Sequence, residues 1–442
     1  MIRRLSTSAA LALLAATGLA APAGARIGIS TAREFVPHRV VVKLRGADRE
    51  RTVRLRPGVG VRQAVAALRR DPRVAYAAPD YIATASALPD DPGPLSGTTG
   101  LPGGWASLQW NFLPWEGTPT VALPISPGGI DAVGAWHHLA EVGRGGARGV
   151  VVAVLDTGVA YRNEGGRFRR SPDFTSDQFV PGYDFVEDDP VPLDENGHGT
   201  HVAGTIAEKT DNGIGLTGLA YRAELMPVRV LDRNGSGRAD DIARGIRFAV
   251  SHGADVINMS FNFGCGKNVP GIDRALRDAY HRGVVTVASI GNLGSEACVA
   301  PPAIGPRVIG VGGTTEGGCL GSYSLLPGKG VDLLAPGGGA PVAECPSVSS
   351  HPIYQVTLKG GDPRRFGEPG SYIGTSMAAA HVSGVAAMVL ASGVIPEHVS
   401  PESRVDRVLR RLRETARDIG LPSSRQGAGL IDAGAATDPE LG

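Results

Sequence analysis

Three short segments of this chain set polar side chains into apolar or glycine-rich surroundings, and their residue types suit one chemistry. In Val152-Ala153-Val154-Leu155-Asp156-Thr157-Gly158 a carboxylate ends an apolar run. In Asn196-Gly197-His198-Gly199-Thr200-His201-Val202-Ala203-Gly204 an imidazole heads a stretch of small residues. In Gly374-Thr375-Ser376-Met377-Ala378 a hydroxyl stands at the start of an apolar segment. A serine hydroxyl is a weak nucleophile until a base takes its proton, and an imidazole base needs a carboxylate to fix its tautomer. Singly, each segment has an ordinary role: Asp forms turns and Ser caps helices. His198 and His201, three apart, make only half of a zinc pattern whose remaining residues are missing.

To meet, these side chains must be delivered by elements that end at one place. Asp156 closes a candidate buried strand, the end at which α/β proteins build their sites. Ser376 opens a helix, where unpaired N–H groups and the dipole favour developing negative charge. From Gly149 onward β-branched runs alternate with amphipathic stretches. Strands are predicted at 150–155, 223–231, 255–259, 284–288 and 307–311, and helices at 198–208, 240–252, 271–282 and 376–391. Residues 406–419 read as a closing helix. Such alternation predicts an α/β fold, a mostly parallel sheet between two layers of helices. Ahead of it, residues 27–86 read as a small α+β unit, with strands at 40–44 and 74–77 and a helix at 61–70. Pro89 to Gly104, dense in Pro, Gly, Ser and Thr, reads as a linker.

Composition narrows the class. With 442 residues, 42% hydrophobic and 20% charged, the chain is ordinary globular protein and not wholesale disorder. The net charge of +1 hides a split: residues 1–86 carry 15 Lys/Arg against 5 Asp/Glu, the remainder 29 against 38. Opposite signs suit two pieces of one chain that attract each other. No recognised module or aromatic platform supports nucleic-acid binding.

Arg3 and Arg4, the apolar run Leu11 to Leu19 and the small residues Ala23-Gly24-Ala25 read as an export signal over residues 1–25. That run is shorter than the ~20 residues a bilayer span needs, and no later segment reads as a membrane helix, so no membrane anchor is expected. Export gives meaning to Cys265, Cys298, Cys319 and Cys345, an even set in an oxidising compartment. Three pairings are possible. Loop closure favours the sequence neighbours, Cys265–Cys298 and Cys319–Cys345.

Taken together and in the order Asp, His, Ser, the three segments resemble the motif blocks of the subtilisin-like serine proteases, the subtilases. The resemblance runs from Gln109 to Ala436 and implies a three-layer subtilisin-like catalytic domain over residues 109–442. It implies a secreted (extracellular or periplasmic) serine endopeptidase, monomeric, acting on proteins or peptides. Ser376 is then the nucleophile, His198 the base, Asp156 its orienting carboxylate and His201 a buried structural histidine. Asn292, ending Val287-Ala288-Ser289-Ile290-Gly291-Asn292, resembles the family's oxyanion asparagine. Gly235-Ser236-Gly237 and Ser260-Phe261-Asn262 resemble the two edges that pair with an extended substrate.

The chain departs from the family at Asn262, where a glycine is usual, and at Ala380, where a proline is usual. The first leaves the side of the first specificity pocket open to question. Ala300 aligns with the floor of that pocket and, being small, implies room for large apolar side chains. The basic unit, residues 26–86, resembles a subtilase propeptide through Leu68 to Tyr81, implying a chaperone and transient inhibitor. Residues 87–108 would then be linker and processing region, cleaved between about Tyr81 and Leu95. The resemblance also implies structural calcium. Asp173 and Asn212, with the carbonyls of Thr210, Ile214 and Leu216, would form one site; Asp184, Glu187, Asp188 and Asp189 resemble a second.

Overall fold

The computed structural model describes residues 35–441 except 48, 57–58, 82–87, 96–102, 117–122, 295–297 and 325–329. The predicted export signal lies outside the described residues. The chain divides into two units, Met1–Ala87 and Leu88–Gly442.

In the smaller unit, β1 (Phe35–Leu44), β2 (Arg51–Arg54), α1 (Val61–Arg69) and β3 (Val74–Tyr81) follow one another. The three strands form an antiparallel sheet in the order β2-β1-β3. Val40 and Val42, two apart on β1, point to the same face as the period of a strand requires. There they meet Val61, Ala64 and Val65, one stripe of α1, in a small core of their own. The short β2 carries Arg51 and Arg54 and has no apolar alternation to betray it in the sequence.

The larger unit runs α2 (Ala132–Glu141), β4 (Val151–Asp156), β5 (Tyr183–Asp184), α3 (His198–Ala207), β6 (Glu224–Arg229), α4 (Ala239–Ser251), β7 (Val256–Met259), α5 (Pro270–His281), β8 (Val285–Ser289), β9 (Val308–Thr314) and β10 (Leu333–Pro336). The hairpin β11 (Thr357–Lys359) and β12 (Asp362–Gly367) follows, then α6 (Thr375–Ser392) and α7 (Pro401–Glu414). Seven strands make one sheet in the order β10-β9-β8-β7-β4-β6-β5, and every pairing in it is parallel. One face is covered by α2, α3 and α6 and the other by α4 and α5, giving two hydrophobic cores either side of the sheet. The three-layer α/β arrangement matches the expectation.

By length and composition alone α6 could cross a membrane, but 89% of that stretch is buried inside the unit: it is a core helix. Two expectations need correcting. The closing helix begins at Pro401 and ends at Glu414, because Ser400 caps it through Ser403 N at 3.2 Å and Pro401 supplies the preset first turn. Part of the predicted linker is packed chain. Trp105 is fully buried and its Nε1 donates to the Pro89 carbonyl at 2.8 Å. Gly93 N donates to the Gly215 carbonyl, and Asp91 is fully buried.

Candidate active site

The sheet topology brings the three segments to one edge. Asp156 is the last residue of β4, which lies between β6 and β7; Ser260 directly follows β7, and Asn292 lies three residues beyond β8. The carboxyl ends of neighbouring parallel strands thus frame the same crevice. His198 is the first residue of α3 and Ser376 the second of α6.

Asp156 is wholly buried, and its Oδ1 accepts from His198 Nδ1 at 2.7 Å and from Thr157 N at 2.7 Å. The imidazole is thereby oriented with Nε2 turned away from the carboxylate. Burial of the ring works against its positive charge, but the Asp156 charge and hydrogen bond outweigh this, helped by Asp194, and hold the His198 pKa above its ordinary value. A quarter of the His198 side chain remains exposed. Gly199 is required where α3 passes the end of β4: a Cβ there would lie 2.1 Å from the Gly158 carbonyl oxygen.

The loop leading into α3 is pinned by Asp194, a buried residue that pattern reading missed. Its carboxylate accepts from Thr157 Oγ1 (2.9 Å), Asn196 N (2.9 Å), Gly197 N (2.9 Å), Thr200 N (3.0 Å) and Thr200 Oγ1 (2.6 Å). Its place four residues before His198, among turn-forming residues, is the signal that marks it. His201 points the other way, buried against Tyr372 with its Nε2 2.9 Å from the Ile353 carbonyl. Burial drives its pKa down to about 3, so it stays neutral.

Ser376 Oγ donates to the Ser260 carbonyl at 3.0 Å, and among the described residues no hydrogen bond joins it to His198. Asn292 uses its Oδ1 to accept from Thr375 N (2.8 Å) and Thr375 Oγ1 (2.9 Å). Its Nδ2 has no protein partner among the described residues and borders Gly374, where a Cβ would come within 2.9 Å. A hydrogen-bond donor thus lies beside the first turn of α6.

Of the two substrate edges, Gly235-Ser236-Gly237 follows β6 in a turn held by Asp232, whose Oδ1 accepts from Asn234 N and Ser236 N. Ser260-Phe261-Asn262 follows β7, with Phe261 buried and Asn262 exposed. Ala300 is buried and its N donates to the Ile290 carbonyl. Both disulfides, Cys265–Cys298 and Cys319–Cys345, are formed as expected.

Around the loop 210–216, Asp173 is fully buried and accepts from Asn212 Nδ2 (2.7 Å) and Leu216 N (2.8 Å). Two further buried carboxylates, absent from the sequence expectation, belong to this neighbourhood. Asp91 accepts from Asp211 N and Asn212 N. Glu208 leaves its Oε1 unpartnered. Burial, reinforced by neighbouring carboxylates, raises the Asp173 and Glu208 pKa values well above the carboxylate range, and burial with the charges of Asp211 and Asp90 raises that of Asp91 to about 7. Three buried acids without a basic partner suit an oxygen-seeking cation. Among the described residues, however, no group of three or more acidic, His or Cys side chains is already arranged around a metal position.

The second acidic cluster is engaged otherwise. Asp184 is salt-bridged to the buried Arg229 at 2.9 Å and accepts from Val186 N and Glu187 N. Asp188 pairs with Arg244, and Asp189 accepts from Val191 N. Arg229 and Arg244 already supply positive charge to the cluster of Asp184, Glu187, Asp188 and Asp189, where a second calcium was expected.

A serine at a helix N-terminus, a carboxylate-oriented histidine and a free amide donor together have the parts needed for acyl transfer through a serine nucleophile. Sequence comparison gives the class its name. The family model described as the subtilase family matches residues 147–429, and the chain belongs to that family: it is a subtilisin-like serine peptidase. It is 32% identical over 462 residues to the extracellular protease of Xanthomonas campestris pv. campestris, covering 96% of this chain and 68% of that one. Over 269 residues it is 35% identical to thermitase of Thermoactinomyces vulgaris, covering 60% and 82%. Among solved structures, a protease of Pseudoalteromonas arctica PAMC 21717 aligns with a TM-score of 0.57 at 28% identity, covering 79% of this chain and 99% of that one.

Proposed function

We propose that this chain is an exported endopeptidase, made as a precursor, that cleaves peptide bonds through an acyl-enzyme on Ser376. The observation that carries the reading is the 2.7 Å contact between His198 Nδ1 and Asp156 Oδ1, with Ser376 on the first turn of α6 bonded to Ser260 at the end of β7, the neighbour of β4. Rotation about the Ser376 side chain exchanges the Ser260 carbonyl for His198 Nε2. As Oγ bonds to the substrate carbonyl carbon, its proton passes to Nε2, and the imidazolium is stabilised by Asp156. The oxyanion is held by Asn292 Nδ2 and the Ser376 backbone N–H. Collapse breaks the C–N bond, and Nε2 hands its proton to the leaving amine. A water repeats the sequence with His198 as base, releasing the acid and restoring Ser376.

Residues 235–237 and 260–262 present backbone to an extended peptide, which gives affinity with little sequence demand. The basic unit 26–86 serves as folding aid and transient inhibitor, and the mature enzyme works as a monomer. Its core of Val40, Val42, Val61, Ala64 and Val65 lets it fold around itself. The relative named as an extracellular protease supports export. Asp173 and Asn212, with the carbonyls of Thr210, Ile214 and Leu216 and with Asp91 beside them, would hold calcium. Bound there, the ion supplies positive charge that lets the buried carboxylates ionise. Fluorophosphonate labelling of the secreted protein tests the central claim. A covalent adduct on Ser376 is expected, and its absence from folded, mature protein would overturn the reading.

A further inference from the structure

The crevice beside Ser376 has two walls, the chain leaving β7 at Ser260–Phe263 and the chain leaving β8 at Ile290–Asn292. Ser376 touches the first through Ser260, and Thr375 touches the second through Asn292. With Ser260–Asn262 as a substrate edge, as proposed above, a peptide whose carbonyl carbon meets Ser376 Oγ, with its oxygen toward Asn292, places the side chain before the cut between these walls. Asn262 already reaches across that space. Gly291 has φ +109, and a Cβ at its position would lie 3.4 Å from Asn262 Nδ2, 3.7 Å from Cγ and 3.8 Å from Oδ1. The three outer atoms of the carboxamide thus lie at ordinary van der Waals distance from the place a Cβ on the opposite wall would take, while the residue keeps an exposed surface. Among the described residues no hydrogen bond to protein is made by that carboxamide.

The two segments are also tied together around this crevice, which opposes its widening to take a bulky guest beside Asn262. Phe263 N donates to the Pro301 carbonyl at 2.7 Å. Two residues on, the Cys265–Cys298 disulfide joins the same two segments. Ser289 Oγ, at the base of the second wall, donates to the Phe261 carbonyl.

We infer that Asn262 is a specificity-determining residue: by narrowing the crevice opposite Gly291, it restricts this peptidase to substrates with a short side chain, Gly, Ala or Ser, before the cut. This departs from the large apolar preference that the small Ala300 implied, and it rests on Ser376 being the nucleophile. A Leu or Phe would have to displace the carboxamide, and misfit of even one methylene in such a pocket costs roughly 10–200-fold in kcat/KM.

The test uses the mature secreted enzyme and fluorogenic peptides that differ only in the residue before the cut: Ala, Ser, Leu, Phe or Arg. Active sites are counted by fluorophosphonate labelling. Wild-type kcat/KM should favour Ala and Ser over Phe by at least ~10-fold, and Asn262→Gly should raise the Phe-to-Ala ratio ~10-fold or more. Asn262→Ala, which keeps the ordinary backbone preferences of a Cβ residue, should move the ratio in the same direction and decides the matter if the glycine variant is not secreted. A labelled wild-type enzyme that prefers Phe or Leu, or a ratio unchanged in both variants, overturns this inference and leaves the proposed nucleophile standing. Failure of Ser376 to label, with no peptide cleaved, overturns both.

Discussion

Ser376 and Ser260 are joined by two reciprocal hydrogen bonds: Ser376 Oγ donates to the Ser260 carbonyl at 3.0 Å, and Ser260 Oγ donates to the Ser376 carbonyl at 2.8 Å. The first turn of α6 is thereby locked to the end of β7, and the hydroxyl proposed as nucleophile is held on a carbonyl instead of on the proposed base. Entry of substrate between the strand edges gives the hydroxyl reason to change partner, since catalytic hydrogen bonds often tighten only in the Michaelis complex.

Ser376→Ala should reduce peptide hydrolysis to background and leave the secreted precursor uncleaved, if release of the N-terminal unit is autocatalytic. Intact-mass measurement of the variant expressed alone checks this. Normal maturation without any other protease would refute self-processing.

Asn292→Leu keeps the volume and removes the free Nδ2 donor, together with the Oδ1 that accepts from Thr375. A loss of about 10²–10³ in kcat is expected, the range known for such a donor in the family to which this chain belongs. KM should change little, because the donor acts on charge that develops after binding. Steady-state kinetics on one soluble peptide separate the two parameters.

Turnover should be lost as pH falls through the His198 pKa, because only the neutral ring accepts the serine proton. The Asp156 charge raises that pKa against the effect of burial, so the acid limb of kcat/KM lies above the ordinary histidine value of about 6.5. Asp156→Asn removes the raising charge and should move the limb to lower pH while cutting kcat sharply. A pH–rate profile of both proteins decides it.

Asp194 acts on the reaction only through the loop it holds and through its charge behind His198. Asp194→Asn retains shape yet cannot accept all five donors, and leaving buried donors unpaired costs about 1–3 kcal/mol each. A lower melting temperature is expected together with a downward shift of the acid limb. An effect on stability with an unmoved pH profile would make the residue purely architectural.

Removing calcium should shorten the half-life far more than it lowers the initial rate, since no proposed ligand belongs to the triad. A native-only ion stabilises by about 2.7 kcal/mol at a hundredfold excess over its Kd. The pH sign also follows. The folded state binds a proton to Asp91 more tightly than the unfolded chain, its pKa standing near 7, so the chelated enzyme should lose stability as pH rises from about 4 through 7. Calcium should abolish that loss, and Asp173→Ala should bring back part of it. Equal half-lives with and without chelator would sink the assignment.

The candidate site of this chain was legible in linear order because each residue proposed for it stands at an element end that needs small or apolar neighbours. Asp156 closes a strand of Val and Ala, His198 opens a helix whose glycine must pass the Gly158 carbonyl, and Ser376 opens a helix buried on every side. Packing constraints of that kind are local and periodic, so the alternating pattern also carried the layer order. What folding alone settles is which distant polar groups share a buried space. Asp91 stands in a stretch that reads as linker, yet it lies 120 residues in sequence from the Asp211 amide it accepts. Arg229 cancels an acidic cluster that alone looked like a metal site. Asn262 crosses to Gly291 because parallel strands bring their ends side by side. Hydrogen bonds and charge pairs act over a few ångströms with no periodicity along the chain, so only the tertiary structure decides them.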